Sequence, residues 1–202
     1  MEIFAAVAPL VLTIESYRLT TGEEDPEELA LMQLEDRERA RAVDEALNLL
    51  YFLETHLAEP RAEEGLSAVI GTMDDLEALR ALAAAQHGHT VADYQEGRVK
   101  AGLQFNHLIN HAGDSGLYVP YDFPQSFVLG DLSLGSAVAL LAELTALEPV
   151  LAERFPAEIA RARALPEDEE EITALGGPVG VWYALTRLCR SAIALDLPIQ
   201  LG

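Results

Sequence analysis

QFNHLINHAGDSGLYVPYDFP, Gln104 to Pro124, differs in texture from the Leu, Ala and Glu-rich sequence on either side of it. It holds two of the five histidines and the turn Gly113-Asp114-Ser115-Gly116. Two extended pieces, about Leu103 to His111 and Leu117 to Pro120, are predicted to close around Ala112 to Gly116. The fold expected is therefore α+β: a predominantly helical single domain, residues 1–202, with a small β-hairpin or sheet near residues 103–123. A chain of 202 residues, half of them hydrophobic, is long enough to bury a sizeable core.

Outward from this segment the signals are helical. Asp25-Pro26-Glu27-Glu28 offers a cap, a proline suited to the first helical position and a capping-box glutamate. From there to about Leu57, Glu35, Asp36, Glu38 and Asp44 form a charged face opposite Val43, Leu47, Leu50 and Leu53. Thr72 with Asp75 begins a further helix that Gly88 ends, and Thr90 with Asp93 a short one. Ser136 caps a helix through Leu140, Leu144 and Leu147 that Pro149 kinks or ends, and a short helix restarts near Pro156. Five acids, Glu167 to Glu171, suit an exposed loop or a helix's first turn. The last helix, about Val179 to Ala194, is apolar on more than one side, which puts Trp182 and Cys189 in the core. Leu197 to Leu201 then reads as an edge strand.

The formal charge is −21, from 34 acidic against 13 basic side chains. Such a field repels phosphate backbones, so no nucleic acid is expected among the partners, while encounter with a basic protein is favoured. A single cysteine excludes an internal disulfide and a cysteine-based zinc cluster, in keeping with a reducing cytoplasm. The N-terminal MEIFAAVAPLVLTIESY carries Glu2 and has no Lys or Arg before Arg18, unlike a leader. Pro9 also interrupts it well short of the ~20 apolar residues of a membrane span, so it reads as a buried strand or helix.

His107 and His111 have the His-x-x-x-His spacing of many metal sites. On a helix they share a face; on the expected strand, four steps of ~3.3 Å hold them about 13 Å apart, too far for one ion. Leu108 also stands where a zincin carries its glutamate. The metal candidates are thus His107, His111 and Asp114, with Asp122, His87 and His89 as further donors, and neither a metal nor another cofactor is expected. Gly113-Asp114-Ser115-Gly116 matches four letters around a serine-protease nucleophile, but the mainly helical chain lacks that fold's double barrel, and the motif reads as a turn. P-loop, dinucleotide and Glu-x-x-His fingerprints are absent.

Tyr118, Tyr121, Asp122 and Phe123 surround Pro120 in an aromatic stretch that, if exposed, makes a partner-binding patch. The function expected is a non-enzymatic acidic protein-interaction module, with aromatic anchors supplying affinity and acids the association rate. The alternatives are a metal-dependent hydrolase using His107 and His111, and an oligomeric scaffold built on the apolar terminal helix.

The run from His107-Leu108-Ile109 through Gly116-Leu117-Tyr118-Val119-Pro120 and Asp122-Phe123, then Leu134-Gly135-Ser136, resembles small bacterial proteins. The Trp182 helix leading to Asp196-Leu197-Pro198-Ile199 adds to the resemblance. Some of those proteins look like immunity proteins of polymorphic toxin systems. The resemblance covers about half the chain; it implies an inhibitor of a toxin partner and no catalytic residues.

Overall fold

The computed structural model describes residues 2–62, 65–99, 105–113, 115–166, 171–172 and 175–202. The chain forms two compact units, one of Ala8–Glu64 and one of Met1–Val7 with Gly65–Gly202.

The smaller unit contains α1 (Ile14–Thr21) and α2 (Pro26–Tyr51). Thr13 caps α1, and Gly22 ends it at φ 73°, a left-handed conformation that glycine adopts without strain. Asp25 caps α2 by accepting from the Glu27 amide, with Pro26 in the first turn. One face of α2 is buried through Leu29, Ala40, Val43 and Leu47. Two expected surface acids are structural instead. Asp36 accepts from the Tyr17 hydroxyl at 2.5 Å, and Asp44 accepts from the Thr55 hydroxyl and from the Leu57 and Ala58 amides. The helix stops short of Leu57 because Phe52 turns left-handed, at φ 56°, and its amide closes back on the Asn48 carbonyl.

The larger unit is built on a seven-stranded sheet in the order β4-β5-β3-β7-β1-β2-β6. The strands are β1 (Glu2–Val7), β2 (Ser67–Thr72), β3 (Gly116–Val119), β4 (Phe127–Leu129), β5 (Leu132–Ser136), β6 (Glu171–Ile172) and β7 (Ile199–Leu201). Alternation sets the faces: Ile3, Ala5 and Val7 of β1 are buried while Glu2 and Phe4 are exposed. The C-terminal strand is not at an edge. β7 lies between β1 and β3, pairing Ala5 with Leu201 and Tyr118 with Ile199.

Around the sheet stand α3 (Met73–Ala85), α4 (Val91–Gln95), α5 (Asn106–Asn110), α6 (Ala137–Arg154), α7 (Pro156–Ala164) and α8 (Gly177–Leu195). The capping boxes Thr72/Asp75 and Thr90/Asp93 both form. Ser136 caps α6, which runs through Pro149 to Arg154. The proline is tolerated because the carbonyl it leaves unpaired belongs to Thr145, which is exposed to solvent. Trp182 and Cys189 of α8 are buried, and the Trp182 indole donates to the Leu144 carbonyl at 2.9 Å.

The α+β class and the dominance of helix are as the sequence predicts, with a strand of the sheet at Gly116–Val119. The first of the two expected extended pieces differs: Asn106–Asn110 is a helix, and Leu103 and Gln104 lie outside the described residues. Of the acids Glu167 to Glu171, the first four also lie outside them.

Candidate functional site

The short helix α5 owes its existence to two buried charges from other helices. Phe105 precedes it in a left-handed conformation and offers no side-chain cap. Glu143, reaching from α6, supplies the missing acceptors: Oε1 takes the His107 amide at 3.0 Å and Oε2 the Leu108 amide at 2.8 Å. At the other end Arg80 of α3 donates from Nε to the Leu108 carbonyl at 2.9 Å and from Nη2 to those of His111 and Ala112. An acid at the N-terminus and a base at the C-terminus both complement the helix dipole. Burial pushes the Glu143 carboxyl up to about 7, against the backbone amides that pull it down.

His107 lies in α5 and His111 at its C-cap, so the strand-spacing argument against a common ion does not apply. Hydrogen bonding occupies their nitrogens instead. His107 Nδ1 accepts from the Ser136 amide and Nε2 donates to the Phe123 carbonyl, each at 3.0 Å. His111 Nδ1 accepts from the Gly113 amide at 3.2 Å and Nε2 donates to the Leu117 carbonyl at 3.0 Å. This pattern makes both imidazoles neutral Nε2–H tautomers with both nitrogens engaged. Burial lowers each to about 4. Asp114 lies outside the described residues, Asp122 is exposed, and the His87 and His89 rings pack near Phe105 and Tyr94. Among the described residues no group of three or more His, Cys, Asp or Glu is placed to hold a metal.

The aromatic stretch is largely internal, so most of it lacks the exposure on which a partner-binding patch depends. Tyr118 and Phe123 are each 2% exposed; Tyr121 is half-buried and Asp122 exposed. The Tyr118 ring stacks on His111 at 4.0 Å between centroids, and its hydroxyl donates to the His107 carbonyl. Phe123 meets His107 edge-on at 5.4 Å. Gly135 makes room for this stack, since a Cβ there would sit 2.4 Å from the Tyr118 ring. The segment is a buried polar junction of the larger unit, and what it offers a partner shrinks to Tyr121 and Asp122.

Charge is concentrated elsewhere. The 57 residues of Ala8–Glu64 hold 15 acids and five arginines, net −10, while the other 145 residues carry the remaining −11. Glu15, Glu24, Asp25, Glu27, Glu28, Glu35, Glu38, Glu45, Glu54 and Glu59 of this unit are exposed. Crowding is greatest where α2 begins. The Glu23 carboxylate accepts the Asp25 and Glu24 amides, which lowers its pKa, whereas its hydrogen bond and charge raise that of Glu28. A surface of this kind recruits cationic groups by field strength and not by chemistry of its own.

No curated protein and no solved structure matches the chain. A family model described as "Putative DNA-mimic protein" matches residues 12–201. This overturns the expectation that nucleic acid has no place among the partners, because a mimic of DNA is aimed at proteins that bind DNA. The anionic field that repels phosphates is the property such a mimic shares with the duplex. The match spans nearly the whole chain and enters both compact units, and the chain belongs to the family that carries this description.

Proposed function

We propose that this protein is a non-catalytic decoy that occupies the DNA-binding surface of a DNA-binding protein. The observation that carries the reading is the net −10 packed into Ala8–Glu64, displayed by exposed carboxylates. A protein shaped to neutralise phosphates with Lys and Arg meets in this unit an anionic surface that it already attracts. The acids raise the association rate, and this advantage falls as salt screens them over a Debye length of about 8 Å. An immunity-type role is the special case in which the partner is a toxin acting on nucleic acid. Action on such a partner places the protein in the compartment that holds DNA, the cytoplasm in a bacterial cell. No helix among the described residues is long and apolar enough to cross a membrane.

The test is elution by the mimicked ligand. The immobilised protein is loaded with the soluble proteome of its source and washed with short duplex DNA. The released fraction is expected to be DNA-binding proteins, each displaced from labelled duplex by the free protein and less well by a Glu27→Lys/Glu38→Lys/Glu45→Lys variant. Retained partners that duplex DNA does not release, or equal competition by the charge-reversed variant, would overturn the reading.

A further inference from the structure

We infer that the outward face of α2 is a docking surface of apolar and acidic side chains together, and that its occupant is a surface of the DNA-binding partner that sets apolar and basic side chains side by side. The inference rests on the decoy reading and adds where the partner sits and what holds it.

At 100° per residue, Leu31, Leu34 and Leu49 point away from the buried stripe of Leu29, Val43 and Leu47. They are 54%, 48% and 79% exposed. Beyond the helix end Phe52 is 88% exposed, held outward by a left-handed backbone that a bulky residue rarely adopts. Seven of the ten large hydrophobic side chains exposed among the described residues belong to Ala8–Glu64. Isolated exposed leucines need no explanation, but Leu31 and Leu34 at one end and Leu49 about 22 Å along, all on the side of the helix opposite its core, give a partner two apolar footholds on one face.

The charges on the same face choose the occupant. Glu27, Glu35, Glu38 and Glu45 fall within about 40° of the leucines, with Arg41 as the one cation among them, so the face is net acidic around its apolar side chains. A second copy would bring together two faces that are each net acidic, with Arg41 alone to offset four glutamates, whereas a cationic partner would pair the carboxylates. Charge alone is also thin. Residues 23–51 carry ten acids and three arginines, net −7 over roughly 40 Å, or about one net charge per 6 Å. Duplex DNA carries one per ~1.7 Å. Competition with DNA thus requires binding energy that phosphates do not supply, and buried leucine and phenylalanine side chains supply it.

Two synthetic 18-residue helical peptides test this: one with a lysine face and a leucine face, the other with alanine in place of leucine and the same charge. Binding is measured by fluorescence anisotropy across a salt series. The wild-type protein is expected to hold the lysine–leucine peptide at least tenfold more tightly. A Leu31→Gln/Leu34→Gln/Leu49→Gln variant, its helicity checked by circular dichroism, should lose that preference yet retain weak, salt-sensitive binding to both. Val128→Gln, removing a comparably exposed apolar side chain from β4, should keep it. Equal affinity of wild type for both peptides, or a preference that survives the triple substitution, would overturn the inference. So would sedimentation showing a dimer that the triple variant abolishes, which would give the face to a second copy. Because neither peptide experiment involves DNA, its failure is separable from failure of the DNA-elution test.

Discussion

Arg80 and Glu143 grip opposite ends of the same five-residue helix, one through the carbonyls of Leu108 and His111, the other through the amides of His107 and Leu108. A helix this short is not stable alone, so its geometry is imposed by these two side chains. Glu143→Ala leaves two buried amides without an acceptor, at about 1–3 kcal/mol each. A loss of roughly 2–6 kcal/mol is expected in urea denaturation. Glu143→Gln keeps an acceptor and should lose clearly less; equal losses would show that the carboxylate does not cap α5.

The buried histidines make stability depend on pH, and the direction follows from their pKa values. Both are held at about 4 against 6.5 when free, so the unfolded chain protonates first. Their contribution is complete above pH 6.5 and is lost as pH falls toward 4. Glu143 opposes this: raised from 4.5 to about 7, it contributes below 4.5 and loses that contribution as pH rises through 7. Between 4.5 and 6.5 two histidines outweigh one glutamate, leaving one net proton and a rise of about 1.4 kcal/mol per pH unit. Thermal or urea melts across this range should show stability increasing with pH. Glu143→Gln should steepen the slope and His107→Gln flatten it.

Gly135 is required by the ring stack beside it. Gly135→Ala places a methyl group 2.4 Å from the Tyr118 ring, and overpacking of this kind costs about 1–3 kcal/mol. In a Tyr118→Ala background the same substitution should cost clearly less, since the closest obstruction is gone and only the His111 ring, 3.1 Å from the added methyl group, is left to give way. Additive losses in the double variant would mean that the two residues do not meet.

Trp182 and Cys189 report on α8. Trp182→Ala removes a large buried side chain and the hydrogen bond to the Leu144 carbonyl, with an expected loss of roughly 3–5 kcal/mol. Burial pushes the Cys189 thiol well above its usual range, so a thiol reagent should label it only as fast as the protein unfolds. Rapid labelling of the native protein would place α8 at the surface.

Local chemistry made much of the fold legible. Asp25-Pro26, the boxes Thr72/Asp75 and Thr90/Asp93, and Ser136 each mark a helix start where one occurs. α5 was hidden because its stabilising groups lie about 30 residues away, beyond any periodicity in Asn106–Asn110. A trace of them was present nonetheless. Arg80 falls in the apolar stripe of Leu76 and Ala83, and Glu143 in that of Leu140 and Leu147, and a charge inside a buried stripe must find a partner. The aromatic stretch at Tyr118–Phe123 stands out by composition, but composition does not say which side of a sheet faces water. Conversely, the exposed leucines of α2 are ordinary helix formers by residue type, and nothing local distinguishes a second apolar face from the first.

The place of β7 bears on how the chain comes off the ribosome. It joins β4-β5-β3 to β1-β2-β6, yet it is drawn from residues 199–201 and pairs with β1 near the other end of the chain. Vectorial synthesis therefore leaves the edges of β1 and β3 without their shared partner strand until residue 201 has emerged. During that interval the strongly like-charged chain resists the edge-to-edge association that exposed strands invite, so the acids shield the nascent protein before they meet any partner.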